Sequence, residues 1–341
     1  MKKVLLISTV ESIFHQPVLD ALRYLGYEVA FVDFRGSSVL RTSTLTHKIV
    51  ERLPGSLKKP IVGHVQRGID EEILKKAKTL KPDLILSLKA KNISVPTLEE
   101  LRTIAPTVNW YPDTMNNWES IQRIVGHYDY FFEFDKYVVG LLQTAGHKNV
   151  YHLPFCGDIS KNEAWKDTSY THNVTFLGSY TPELYPMRLE ILDKIKDLGL
   201  NVWGNKAWAD TQLKQYYRGP VVPSTANLKK IYRQSKIVIH IDSLTIHGGT
   251  GLAMRPFDVT ANGVLLIAQD DKPEIFNMFE PGKEFVLFHD ALDIRDKVEY
   301  YLKHDEERIK IAKAGFERTR RDHTYVDRVS KILETIKNHG N

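Results

Sequence analysis

Short, largely apolar runs recur along this chain, and between them lie stretches with helical spacing or helix breakers. Such runs occupy residues 4–8, 84–88, 107–111, 236–241 and 264–268. A strand with one wet face alternates apolar and polar residues. A strand buried on both faces does not, and that burial belongs to parallel sheets covered by helices. Strands are expected at 4–8, 27–34, 84–88, 107–111, 128–134 and 150–154, with helices at 17–25, 71–80 and 96–104. Residues 35–70 are basic and rich in Ser and Thr, and read as an excursion near a cleft. Residues 156–172 carry no periodicity and read as a linker.

The pattern then restarts. Strands are expected at 173–177, within 199–204, and at 236–241, 264–268 and 284–288. Helices are expected at 185–198, 225–234, 292–303, 306–320 and 325–337. Strand–helix alternation of this kind is the mark of a doubly wound α/β sheet. The chain has 341 residues, enough for two domains at roughly 100–200 residues each. The expected division is 1–155, a linker 156–172, 173–325, and a C-terminal helix 326–341 packing back on the first domain. Both halves are Rossmann-like, yet neither contains G-x-G-x-x-G. Ligands of such sheets bind beyond the C-terminal strand ends.

Composition removes several classes. No apolar run reaches the ~18 residues that a membrane-spanning helix needs. The first apolar run is too short for a signal peptide, and the only cysteine, Cys156, allows no internal disulfide. Both fit a protein of the reducing cytoplasm. The 13 histidines show no metal-ligand spacing, so no metal is expected. The net charge of +5 is spread along the chain, as on an ordinary solvated surface. A nucleic-acid partner has no motif to support it.

One segment carries chemistry. His247-Gly248-Gly249-Thr250-Gly251 precedes Met254-Arg255-Pro256-Phe257-Asp258, and Asn262-Gly263 ends the short helix expected there. A glycine turn feeding a helix offers backbone N–H groups to an anion. Arg255 adds a fixed charged fork suited to phosphate. Asp258, three residues on and on the same face, can accept hydrogen bonds from hydroxyls. Phosphate plus hydroxyls describes a nucleotide or nucleotide sugar. The ordinary alternative is a surface i,i+3 pair beside a common loop.

The second half resembles the CgeB-type, spore maturation protein-like glycosyltransferase family, of the GT-B fold. The resemblance rests on Phe176-Leu177-Gly178-Ser179-Tyr180-Thr181-Pro182-Glu183, Val202-Trp203-Gly204, Gly219-Pro220, Ser235-Lys236-Ile237-Val238, Met254 to Asp258, Asn262-Gly263, Pro281-Gly282-Lys283 and Arg321-Asp322-His323-Thr324-Tyr325, in family order. The first half is similar more loosely, through residues 81–89 and Trp110-Tyr111-Pro112-Asp113.

This resemblance implies two Rossmann-like domains facing across a cleft, with a nucleotide-sugar donor held by the second half and an acceptor by the first. It implies that Asp258 binds the donor's ribose, where the family usually has Glu. It places Thr250 where related retaining enzymes carry a further glutamate. It sets Gly178 and Ser179 against the diphosphate and implies no bound metal or other cofactor. Trp203, Gly204, His247, Gly249, Thr250 and Gly251 complete the expected donor side.

The leaving diphosphate requires positive charge, and an acceptor hydroxyl calls for a base. Arg255 leads for the charge. Lys206 and Arg188 follow, with Arg188 read as a surface residue. Trp203 or Trp208 stacks on the base or fills the core. His15, at the start of the first helix, is the first candidate base, since imidazole titrates near neutrality; a capping or surface role is its alternative. Glu11 is a substitute. Asp113 is the second candidate, with Trp110, Tyr111 and Trp118 as an acceptor platform, or else it caps a helix. His323 reads as a structural tether. Two rival readings stand, a sugar-nucleotide epimerase of the same fold and a non-catalytic scaffold. Base, sugar, acceptor, stereochemical course and oligomeric state stay open.

Overall fold

The structure is a computed structural model that describes residues 2–34, 54–113, 117–165, 169–221, 225–242 and 249–339. The chain divides into two units, Met1–Leu153 with Val329–Asn341, and Pro154–Arg328.

The first unit contains strands β1 (Lys3–Ser8), β2 (Glu28–Asp33), β3 (Leu84–Leu88), β4 (Thr107–Tyr111), β5 (Tyr130–Glu133) and β6 (Val150–His152). Its helices are α1 (His15–Tyr24), α2 (Gly55–Leu80), α3 (Val95–Arg102), α4 (Trp118–Ile124) and α5 (Lys136–Thr144). The strands form one sheet in the order β2-β1-β3-β4-β5-β6, and every neighbouring pair is parallel. Val4, Leu5, Leu6 and Ile7 of β1 are all fully buried, which is why the sequence there is unbroken and not alternating.

The second unit contains β7 (His172–Leu177), β8 (Leu200–Trp203), β9 (Tyr217–Gly219), β10 (Ser235–His240), β11 (Leu265–Gln269) and β12 (Val286–Phe288). Its helices are α6 (Met187–Asp193), α7 (Thr225–Arg233), α8 (Arg255–Ala261), α9 (Ile275–Met278), α10 (Asp293–Lys303) and α11 (Asp305–Asp322). The sheet order is β12-β11-β10-β7-β8-β9, again parallel throughout. The last helix, α12 (Tyr325–His339), begins in this unit, and from Val329 onward it belongs to the first. There the Tyr130 hydroxyl donates to the Ile336 carbonyl (3.4 Å), and the His339 ring meets Tyr151.

Sheet order fixes where each unit can bind. In the first, the chain leaves β1 for β2 on one side and returns to β3 on the other. In the second, it runs β7, β8, β9 outward and returns to β10 on the far side of β7. The loops diverge at these reversals and leave a crevice at the C-terminal strand ends. In the second unit Gly178 and Ser179 follow β7, and Ile241 and Asp242 follow β10.

Two expectations change. The helix expected at 185–198 is only Met187–Asp193, followed by a single 3-10 turn, Lys196–Leu198. Residues read as linker are packed within the second unit. The Gly157 amide donates to the His323 carbonyl, Arg328 donates to the carbonyls of Pro154 and Phe155, and Arg320 donates to that of Lys161.

Candidate functional site

In the second unit the reversal point is occupied by charge. Arg188 projects from α6 and is only 4% exposed, so the expectation of a surface arginine is overturned. Its Nη1 donates to the Ser179 carbonyl (2.8 Å) and its Nη2 to that of Ile241 (2.8 Å), so one guanidinium ties the ends of β7 and β10 together. Its Cζ lies 3.2 Å from the Tyr185 ring centroid. Burial, with Arg255 nearby, brings its pKa down to about 10, which still leaves it charged at neutral pH. The missed signal is periodic: Arg188, Ile191 and Leu192 share the buried face of α6 at i, i+3, i+4 spacing.

Arg255 opens α8 and Asp258 follows in its first turn. Both are partly buried, and the Arg255 Nε is buried with no hydrogen-bond partner among the described residues. Protein atoms crowd the Asp258 carboxyl and push its pKa up to about 7. Arg255 and Lys229 oppose that shift, while Asp158 adds to it. Asn262 closes α8 by donating from Nδ2 to the Asp258 carbonyl (2.8 Å), and Gly263 turns the chain at φ 69°.

The glycine loop before α8 is pinned by two buried charged side chains. Lys272 donates to the Gly249 carbonyl (3.1 Å), and the Leu252 amide donates to Glu274 (3.1 Å). Gly251 lies between these anchors and Thr250 is exposed. His247 and Gly248 lie outside the described residues.

The loop after β7 differs from expectation in its donors. The Gly178 amide is already engaged by the Trp203 carbonyl (2.9 Å), and that of Tyr180 by Asn205 (2.8 Å). The Gly178 carbonyl accepts from the Trp208 indole (2.7 Å). Gly178 therefore shapes the loop and offers no amide to an anion. Gly204 is glycine because the backbones touch: a Cβ there would lie 2.0 Å from the Gly178 carbonyl oxygen. Trp208 is fully buried core, Trp203 is half-buried with its ring edge-on to His172, and Lys206 is exposed.

One residue passed unnoticed in the sequence. His240 ends β10, is 2% exposed, and neither ring nitrogen has a hydrogen-bond partner among the described residues. Its Nε2 lies 3.6 Å from the Asp242 carboxylate. The signal was a histidine inside an otherwise apolar strand, Ile237-Val238-Ile239-His240-Ile241.

In the first unit, β1 and α1 bring Ser8 and His15 together. The Ser8 hydroxyl meets the His15 Nδ1 at 2.5 Å, and the imidazole stands edge-on to Phe31. Nε2 has no hydrogen-bond partner among the described residues. Burial lowers the pKa of His15, with Asp33 and Asp20 opposing, so the ring is neutral at pH 7. Glu11 is exposed nearby in sequence.

Asp113 follows β4, and Asn117 holds the N-cap position of α4. Asp113 forms an ion pair with Lys89 and accepts from Asn117 Nδ2 (2.8 Å), while Lys91 donates to Asn117 (2.9 Å). Lys89 ends β3 in the left-handed region, φ 62°, a conformation that is strained for a side-chain-bearing residue. Trp110 and Tyr111 are fully buried and cannot form an acceptor platform, and Trp118 packs partly buried against the core. His323 is a tether: Nε2 meets the Met278 carbonyl (2.9 Å), Nδ1 meets Arg328, and burial lowers its pKa to about 4.

Among the described residues no group of three or more His, Cys, Asp or Glu side chains could hold a metal ion, and no helix is long and apolar enough to cross a membrane.

Residues 188–334 match the model of a glycosyl transferase-like family. The matched segment starts at the buried arginine and includes α8. No curated protein matches the chain. Solved structures align over nearly the whole length. HepE from Anabaena, in complex with UDP and glucose, has a TM-score of 0.60 at 12% identity, covering 99% of this chain and 100% of its own. Sucrose-phosphate synthase from Thermosynechococcus elongatus has a TM-score of 0.66 at 12% identity, covering 99% of each. A provisionally named UDP-N-acetylglucosamine 2-epimerase from Listeria monocytogenes has a TM-score of 0.57 at 15% identity, covering 100% of this chain and 97% of its own. With the two parallel six-stranded sheets, these likenesses show the GT-B fold.

Proposed function

We propose that the chain is a glycosyltransferase of the CgeB-like type, moving a sugar from a nucleotide-sugar donor held by the second unit to an acceptor held by the first. The observation that carries this is the pair of guanidinium groups, Arg188 and Arg255, gathered with the Asp258 carboxyl at the strand-order reversal of a unit that matches a glycosyl transferase-like family. HepE, a full-length fold neighbour, was solved with UDP and glucose, which agrees with a nucleotide-sugar donor.

In this reading Arg255 takes the diphosphate, and Arg188 holds the β7 and β10 loop ends in place behind it. Both balance the charge that builds on the leaving group as the sugar–oxygen bond breaks. Asp258 accepts from the ribose hydroxyls. Neutral His15 is the base: Ser8 fixes its Nδ1 and leaves Nε2 to take the acceptor's proton, as in a nucleophile–base–orienter arrangement. Asp113, paired to Lys89, serves to position an acceptor and not to accept its proton. The acceptor is a hydroxyl compound of open identity, and catalysis proceeds without a metal.

Thermal unfolding against UDP, GDP, dTDP, ADP and CMP, with and without Mg²⁺, tests this. A nucleotide at about 100 times its Kd adds roughly 2.7 kcal/mol, a shift of a few degrees. A shift from one nucleotide that does not need Mg²⁺ is expected. No shift from any of them removes the donor site, and product analysis that finds an altered sugar with no transfer replaces transferase by epimerase.

A further inference from the structure

Among the described residues at the second unit's reversal point, His240 is a buried ring with neither nitrogen in a hydrogen bond. A buried imidazole ordinarily satisfies at least one nitrogen, because burying a polar atom without a partner is unfavourable. Here both nitrogens are buried, neither lies within hydrogen-bond distance of a partner among the described residues, and the nearest acidic group, Asp242, stands 3.6 Å from Nε2. Charged groups approach from three elements: Asp242 beyond the end of its own strand, Arg188 from α6, and Arg255 from α8. Asp271, after β11, in turn faces Asp242. Asp258 shares α8 with Arg255.

We infer that His240 is a proton-linked residue of this site, and that a nucleoside diphosphate binding there draws a proton from solvent onto its imidazole. The inference rests on the reading of the second unit as a nucleotide site. In the neutral tautomer with its hydrogen on Nε2, the nitrogen 3.6 Å from the Asp242 carboxylate, Nδ1 keeps a lone pair. Protonation at Nδ1 makes an imidazolium and changes no other bond.

In the empty site burial disfavours that cation, and Arg255 and Arg188 repel it, while Asp242 alone favours it. A diphosphate beside the two arginines reverses the balance, because its negative charge offsets theirs in a site where water screens poorly. His240 thereby acts through the field at the diphosphate. It is a positioning residue, and it adds a third positive charge only when the ligand is present.

Calorimetric titration of the full chain with UDP, GDP, dTDP and ADP, in buffers of different ionisation enthalpy, counts the protons exchanged. Any exchange at Asp258, whose pKa stands at about 7, is common to wild type and the His240 variant and cancels in their difference. Wild type is expected to take up about half a proton or more beyond His240→Asn for the nucleotide that binds. In ¹⁵N spectra of wild type, the His240 ring nitrogens should move to imidazolium positions on adding that nucleotide, a readout independent of how well the variant folds. Asp242→Asn should reduce the uptake. Binding with an unmoved His240 ring and equal proton counts overturns the inference and leaves the donor site standing. No binding by any of the four overturns both.

Discussion

The replacement Asp258→Asn separates the energetic strain of the site from its use. The carboxyl's pKa stands about three units above its ordinary 3.8, at about 7. At ~1.36 kcal/mol per unit, an ionised Asp258 costs the fold at most about 4 kcal/mol relative to an unstrained carboxylate. Its sign is set by proton count. Between pH 3.8 and about 7 the folded chain holds a proton at this site that the unfolded chain has lost. Stability from this group therefore falls as pH rises through that window and is level above it.

Asparagine keeps the shape and removes the titration. Because Asp258 is not fully sealed from solvent, water recovers part of the cost, and a gain of about 2 kcal/mol for the variant over wild type is expected between pH 4.5 and 7.5. Urea unfolding of both proteins at the two pH values measures it. Nucleotide affinity should fall at least tenfold in the same variant, since an amide cannot replace a carboxylate toward two hydroxyls. A stability difference that does not change with pH refutes the argument that this carboxyl is held near neutrality.

Other substitutions test the remaining parts. His15→Gln should lower kcat by about 10²–10⁴ with nucleotide affinity unchanged, measured by steady-state kinetics and thermal shift. Arg188→Met should destabilise the fold by about 2–4 kcal/mol, since the Ser179 and Ile241 carbonyls lose their donors, whereas Arg255→Met should leave stability nearly unchanged and weaken nucleotide binding by about tenfold or more. Gly204→Ala should destabilise by about 1–3 kcal/mol through its collision with the Gly178 carbonyl, and calorimetry would show it.

The sheets were legible because strands buried on both faces cannot hide: Leu84–Leu88 and Leu265–Gln269 are nearly continuous apolar text. The edge strand Tyr217–Gly219 was not, since three partly exposed residues carry no period. In the site, Asp258 and Arg255 could be found from a turn and a spacing. Arg188 could not be placed while its charge outweighed its position on an apolar helix face. Gly178 shows another limit. A strand–glycine turn suggests free amides, but whether an amide is free depends on Trp203, a partner 25 positions away in the chain. Trp110 and Tyr111 were misjudged because aromatic residues serve core and ligand equally well, and only burial separates them.

The division of α12 between the units has a consequence for synthesis. The first unit includes the chain from Val329 onward, so the ribosome must complete residues 154–328 before that packing can close. At ~5–20 residues per second, this leaves the newly made Met1–Leu153 segment waiting about 10–35 s. During that interval its sheet lacks the helix that meets Tyr130 and Tyr151. The first segment made is thus among the last to be completed, and chaperone demand should fall on the beginning of the chain.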